Sequence, residues 1–124
     1  MLRTVTAGLC ALTLAACVDP NTVPVSVAPA AVSAADRSLT AAYFAQTLRD
    51  PDSAQYRGWQ GYQLGNGDRV VCGEMNARNG FGGMAGFSPF YLRYSGNAVA
   101  MDQRDGQAVR ACGEAASGNF KITG

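Results

Sequence analysis

Residues 1–17 constrain the fold more than any other part of the sequence, because their pattern predicts a targeting signal that is not part of the folded domain. Arg3 is followed by an apolar run over residues 7–14 and then by small residues, the order found in an export signal. The apolar run is too short to span a bilayer, which takes about 20 residues. What remains of the 124 residues suffices for one modest domain in an oxidising compartment.

The sequence Leu-Ala-Ala-Cys that ends at Cys17 resembles the bacterial lipobox, in which Leu and two small residues precede the cysteine that begins the mature protein. The resemblance implies a bacterial lipoprotein: a signal peptide of residues 1–16, a diacylglyceryl thioether on Cys17 and usually a third acyl chain on the new amino terminus. Two or three chains anchor stably, because one myristoyl chain alone binds only marginally. The alternatives are a plain secretory signal that ends in Ala-Ala-Cys and a mistranslated extension over residues 1–17.

The anchor predicts a location at the periplasmic face of a bacterial membrane, with the lipid bilayer as the partner of Cys17. An Asp directly after the lipidated cysteine is the inner-membrane retention signal best known from enteric bacteria. Val18 stands at that position in this chain, and Asp19 follows it. The outer membrane is therefore favoured over the inner membrane.

The segment after the cleavage point has the composition of a linker. Residues 17–35 contain three prolines among Val, Ala, Ser and Thr, and they show neither helical nor strand periodicity. We therefore predict that residues 17–35 are the lipidated cysteine and a flexible tether. The globular domain is predicted to cover residues 36–124.

The rest of the chain alternates between helical and strand patterns. Ser38 is a good N-cap, and the apolar spacing after it predicts a helix that ends at Arg49. A second helix is predicted over residues 105–116. The predicted fold class is α+β: a small two-layer domain with a helix, a four-stranded antiparallel meander and a C-terminal helix, both helices packing on one face of the sheet. Turn signals delimit the four strands as residues 56–64, 69–77, 84–94 and 98–101.

Two cysteines remain after the proposed cleavage and acylation. Cys72 lies on a predicted strand and Cys112 on the last predicted helix. Because the compartment is oxidising, a disulfide between them is the favoured pairing. The alternatives are two free thiols or a redox pair, although the spacing is not that of a Cys-x-x-Cys motif.

Composition excludes several classes of function. The chain has no histidine, which removes the usual general base and the commonest zinc ligand. Its formal net charge is +1 with scattered arginines, so nucleic-acid binding is not expected. Residues 80–85 formally match a dinucleotide-binding fingerprint, but a helical pattern does not follow, so a glycine turn is favoured. No catalytic residue, metal ligand or cofactor is predicted.

One group of polar residues is a candidate ligand site. On the predicted strand, Glu74 shares a face with Cys72, so a disulfide that draws Cys72 inward would bring Glu74 with it. One interpretation is a buried polar network that fixes the glycine-rich turn. The other is a shallow polar site, flanked by aromatic residues, that suits a sugar or a peptide. The residues of this candidate cluster are Arg57, Glu74, Asn76 and Asn79.

Two segments, residues 50–57 and residues 71–79, resemble an uncharacterised family of small bacterial envelope proteins. The family pattern is Asp-Pro-x-Ser-Ala-x-aromatic-Arg, followed by Cys-Gly-x-x-Asn-x-basic-Asn and an aromatic-Gly-Gly turn, here Phe81-Gly82-Gly83. The resemblance covers most of residues 40–95. It implies a single domain and brings no activity or ligand with it.

Together these observations predict a membrane-anchored periplasmic lipoprotein that acts as a non-enzymatic binding or structural module for an envelope protein or glycan. The alternatives are a small enzyme that acts on the cell wall through Glu74 and a thiol redox protein. A cleft that joins Glu74 to a second carboxylate would favour the enzyme. An exposed, reducible bond between Cys72 and Cys112 would favour the redox protein. A buried Glu74 bonded to turn amides would favour the binding or structural module.

Overall fold

The computed structural model describes residues 22–123, with the side chains of residues 22–122. The predicted signal peptide at residues 1–16 and the predicted lipidation site at Cys17 lie outside the described residues. Within the described part, neither helix is long and apolar enough to cross a membrane. The elements in chain order are β1 (Thr22–Val25), β2 (Val27–Ala30), α1 (Ala34–Ala45), a short 3-10 helix (Pro51–Ser53), β3 (Gln55–Leu64), β4 (Arg69–Asn76), β5 (Ser88–Ser95), β6 (Ala98–Arg104), α2 (Asp105–Ser117) and β7 (Phe120–Thr123).

The fold is α+β with antiparallel pairing throughout the described strands, as predicted. Strands β3 to β6 are the four-stranded meander that the turn signals indicate. The sheet has a fifth strand, because β2 pairs with β3 and makes the order β2-β3-β4-β5-β6. A separate two-stranded ribbon joins β1 to β7. The predicted strand count was therefore too low.

The tether predicted over residues 17–35 is shorter than expected, because residues 22–30 form β1 and β2. Both strands have a partner on one side only within the described residues, and an edge position tolerates proline because the missing N–H is not needed for pairing. Pro24 and Pro29 are therefore compatible with strand structure. Val25 and Val27 also pack against the core cluster on the α2 side, which stabilises the segment.

Helix α1 begins five residues earlier than predicted. The cap is Ser33, whose hydroxyl oxygen accepts a hydrogen bond from the Asp36 amide at 3.0 Å. Ser38 lies inside the helix instead. The helix ends at Ala45, and the amides of Thr47 and Leu48 share the Phe44 carbonyl at 3.0 Å in a closing turn. Either serine satisfies the local cap rule, so sequence alone did not distinguish them.

The two helices cover opposite faces of the sheet, so the domain has three layers where two were predicted. Alternate residues of β4 point to opposite faces. Val70 and Cys72 pack in a cluster with Ala108 of α2. Val71 packs in a second cluster with Phe44 of α1. The central strands are apolar on both faces, and each face therefore needs a helix to exclude water.

An ion pair and a buried hydrogen bond between α1 and the sheet hold the helix in position. Arg69 of β4 makes a two-pronged ion pair with Asp36, at 2.9 and 2.8 Å, and also donates to the Gly96 carbonyl at 3.0 Å. The hydroxyls of Thr40 and Tyr94 lie 2.8 Å apart and share a hydrogen bond. Thr40 and Tyr94 are almost fully buried. These contacts set the position of the helix along the strands.

Buried tyrosines predict a loss of stability at alkaline pH. Burial raises the pKa of Tyr91 to about 12 from an ordinary value of 10.0, and it also raises the pKa of Tyr56 and of Tyr94. The unfolded chain therefore loses these protons first as the pH rises, so the free energy of unfolding should fall between pH 10.0 and about 12. Urea unfolding at increasing pH measures this fall. A Y91F variant should show a shallower decline, and an equal slope would contradict the assignment.

Candidate functional site

The four residues of the predicted polar cluster divide into two pairs with different roles. Arg57 and Glu74 form an ion pair, with Arg57 Nε donating to Glu74 Oε2 at 2.7 Å. Their side chains are 57% and 41% exposed. The Arg57 guanidinium also lies over the ring of Phe87, 3.7 Å from its centroid. This pair is a surface feature, whereas Asn76 and Asn79 organise backbone.

Asn76 and Asn79 close the segment between β4 and β5, residues 77–87, which we call the glycine-rich loop. The side-chain oxygen of Asn79 accepts hydrogen bonds from the amides of Phe81 and Gly83, at 3.0 and 3.2 Å. Asn76 is buried, and its side-chain oxygen accepts from the Gly86 amide at 2.9 Å. The backbone of Asn79 also bonds to the Gly83 carbonyl at 2.8 Å. The loop is therefore an ordered turn.

The tip of the glycine-rich loop presents apolar side chains to solvent. Phe81 is 100% exposed and Met84 is 42% exposed. Gly82 has φ of +83°, a left-handed conformation that lets the chain reverse directly after Phe81. Most phenylalanines in folded proteins bury their rings, so an ordered loop that holds Phe81 in water beside the partly exposed Met84 is a candidate contact surface.

Arginines surround the base of this loop. The Arg49 guanidinium packs so closely on Gly80 that a Cβ built there would lie 3.2 Å from its central carbon. Arg78 is 57% exposed and lies 3.9 Å from Asp50. The Arg78 amide donates to the Ser53 hydroxyl at 3.0 Å, which joins the loop to the 3-10 helix. Aromatic, methionine and arginine side chains are the residue types enriched where proteins bind one another.

The disulfide between Cys72 and Cys112 is present, as predicted. It joins β4 to α2 across a Cα–Cα distance of 6.2 Å. Cys72 is 3% exposed, and Cys112 is half-buried against the carbonyl of Phe90. The bond therefore links the sheet to the helix that covers it, which is the position expected for a structural bridge.

An open groove of about 340 Å³ runs between the sheet and α2, beside the disulfide. Glu74 lies at its edge and is the only carboxylate among the described residues that line it. The remaining lining is largely apolar, and Gln60 and Val109 mark its two sides. Hydrolysis by a pair of acids needs a second carboxylate in the same cleft. In the described part of the chain, residues suited to bind a metal do not cluster in groups of three or more.

Sequence reasoning placed Glu74 on the face of Cys72, but it treated Phe81 only as part of an aromatic-Gly-Gly turn and did not single out Arg49. Phe81 could have been recognised from the sequence, because it lies between an asparagine and a run of glycines. That composition favours a tight turn whose aromatic side chain is exposed. Arg49 gave no local signal, because its contact with Gly80 depends on how the end of α1 meets the loop.

Comparison of the chain with protein-family models, curated proteins and solved structures found no match.

Proposed function

We propose that the protein is a lipid-anchored periplasmic module that binds an envelope protein through its glycine-rich loop. Cys17 supplies the anchor, and the outer membrane is favoured because Val18 follows it. The observation that carries the proposal is the full exposure of Phe81 on a loop that Asn79 holds in one conformation. A pre-ordered loop loses little conformational freedom on binding, so its apolar tip retains most of its contact energy.

A protein partner fits this surface better than a glycan. The tip of the loop combines the exposed ring of Phe81, the side chain of Met84 and neighbouring arginines, residue types that are enriched at protein–protein interfaces. Sugar sites are built from several polar groups that converge in a concave pocket. Asn76 and Asn79 direct their oxygens to loop amides instead of to solvent. The similarity to small envelope proteins over residues 40–95 is consistent with this proposal.

The position of the loop suits presentation away from the anchor. The Gly65 amide bonds to the Ser26 carbonyl at 2.8 Å, so the N-terminal strands join the sheet where β3 turns into β4. The loop follows Asn76 at the other end of β4, which has 8 residues. At about 3.3 Å per residue, these two ends lie about 25 Å apart. The loop therefore lies at the end of the sheet remote from the anchored terminus.

A photocrosslinking amino acid tests the proposal. Replacing Phe81 by benzoylphenylalanine in the acylated protein should produce a discrete adduct with one envelope protein on illumination. The same replacement at Val109, which is 61% exposed on α2, is the matched control and should give little adduct. The N79A variant removes the acceptor of two loop hydrogen bonds, so it should reduce the adduct at position 81.

Other outcomes of this experiment discriminate between the alternatives. Equal adducts at positions 81 and 109 would mean that the loop is not a specific contact. A heterogeneous ladder that collapses on digestion with a murein hydrolase would transfer the proposal from a protein to a glycan partner.

A further inference from the structure

We propose that the ribbon of β1 and β7 rests against the headgroups of the membrane that carries acylated Cys17. This inference rests on the proposed lipid anchor and extends it from attachment to orientation. The ribbon comprises residues 22–25 and 120–123, paired in register from Val25 with Phe120 to Thr22 with Thr123.

The first argument is the length of chain between the anchor and the fold. Residues 17–21 are five residues, and a chain spans at most about 3.6 Å per residue whatever its conformation. Thr22, the first residue of β1, therefore lies within about 18 Å of the acylated cysteine. The start of the ribbon is thus the part of the domain that the anchor holds closest to the lipid.

The second argument is the surface that the ribbon offers. Pro24 and Lys121 are opposite each other in register and both are exposed. Val23, next to the anchored end, is 52% exposed. Lys121 is the only lysine of the chain, and a cation near an anionic membrane surface gains about 1 kcal/mol. By strand alternation Pro24 and Lys121 share one face of the ribbon, while Val23 belongs to the other face and is exposed at the anchored end. The apolar group beside the cation is therefore Pro24, and such a pair suits the interface between headgroups and water.

The anchor, not the ribbon, supplies most of the binding. One valine and one lysine give too little affinity to hold a free domain on a bilayer. A short tether raises the effective concentration of the ribbon at the surface to about the millimolar range, where weak contacts are made. The ribbon is therefore expected to contact lipid only in the acylated protein. The Arg110–Glu114 pair lies on α2, outside the ribbon. Glu114 also lines a small cavity with Lys121, so its negative charge partly offsets the positive charge of Lys121.

The contact of the ribbon with the headgroups also determines which way the glycine-rich loop points relative to the membrane. Val25 and Ser26 lie at the end of the sheet opposite the loop, and Thr22 is about 13 Å or less from that end. A ribbon held on the headgroups therefore directs Phe81 away from the membrane and toward the periplasmic space. The glycine-rich loop is therefore expected to lie at the end of the domain farthest from the membrane.

Tryptophan fluorescence in vesicles tests the inference. The full acylated protein is reconstituted into phosphatidylethanolamine–phosphatidylglycerol vesicles that contain a lipid with a nitroxide headgroup, with Trp59 replaced by Phe throughout. A V23W variant should lose most of its emission to the nitroxide, because position 23 lies at the anchored end of the ribbon. Matched F81W and V109W variants should keep theirs, because Phe81 is on the loop and Val109 lies beside Glu74 and Pro89, toward the loop end of the sheet.

A second variant separates docking from attachment. Inserting a Gly/Ser linker of about 20 residues after residue 21 lowers the effective concentration of the ribbon, and the V23W emission should recover. Equal emission loss at positions 23 and 81, or none at either, with all variants still floating with the vesicles, would overturn the docking while the anchor stands. Protein that lacks acyl mass and does not float would overturn the anchor, and the docking with it.

Discussion

Replacing Cys72 and Cys112 together by alanine is expected to lower the free energy of unfolding by about 4 kcal/mol. The two cysteines are 40 residues apart in sequence, and the bond between them restricts the unfolded chain over that whole loop. The loop includes the glycine-rich segment and all of β5 and β6. Domains of this size typically have about 5–15 kcal/mol of stability in total, so the loss is a large fraction.

Urea unfolding of the oxidised protein, the reduced protein and the C72A/C112A variant measures this effect. The reduced protein and the double variant should unfold at similar midpoints, both well below the oxidised protein. Alanine is the suitable replacement because Cys72 is buried, and a serine there would bury an unpaired hydroxyl. If the oxidised and reduced proteins unfold at the same urea concentration, the bridge is not structural. The thiol redox alternative then becomes the better interpretation.

The R93M variant is expected to destabilise the fold by about 3–5 kcal/mol, because it leaves Asp68 as an uncompensated buried charge. Arg93 Nη1 lies 2.6 Å from Asp68 Oδ2, and the two side chains are 12% and 11% exposed. Arg93 is on β5, while Asp68 closes the turn between β3 and β4. The pair therefore joins a turn to a central strand in a site with little water to solvate either charge.

The R57M variant is the matched control, because Arg57 forms an ion pair of similar length that is largely exposed. The Arg57–Glu74 distance is 2.7 Å, but the side chains are 57% and 41% exposed. Water already solvates both charges, so the expected loss is about 1 kcal/mol or less. Adding D68N to R93M should recover part of the lost stability by removing the orphaned charge. Equal losses in R93M and R57M would show that burial does not control these pairs.

These two predictions concern the framework, and they leave the tip of the glycine-rich loop intact. Neither Arg93 nor the disulfide contacts Phe81 in the part of the chain that the structure describes. A folded R57M variant should therefore keep the crosslink at position 81, provided that Arg57 serves only to hold Phe87. Loss of the crosslink in a folded R57M protein would extend the contact surface to the Arg57–Phe87 stack.

Much of the candidate site followed from strand alternation. Cys72, Glu74 and Asn76 share a face because side chains alternate along β4, and the sequence was sufficient to show this. The separation of the cluster into an exposed ion pair and two loop asparagines was not predictable. Arg57 stands opposite Glu74 because the register of β3 against β4 shifts between Arg57 and Gln60, beside Gly58 with φ of +66°.

The sequence by itself determined the features that depend on local chemistry: the turns, the presence of the four strands of the meander, the second helix and the two cysteines that form the disulfide. Tertiary structure alone decided the features for which local rules offer equal choices. Ser33 and Ser38 are equivalent caps by their chemistry, and the bond between Thr40 and Tyr94, with the pair between Asp36 and Arg69, fixes where the helix lies. The same holds for β1 and β2, since proline-containing segments become strands only when a partner, here β7 or β3, satisfies their remaining backbone groups.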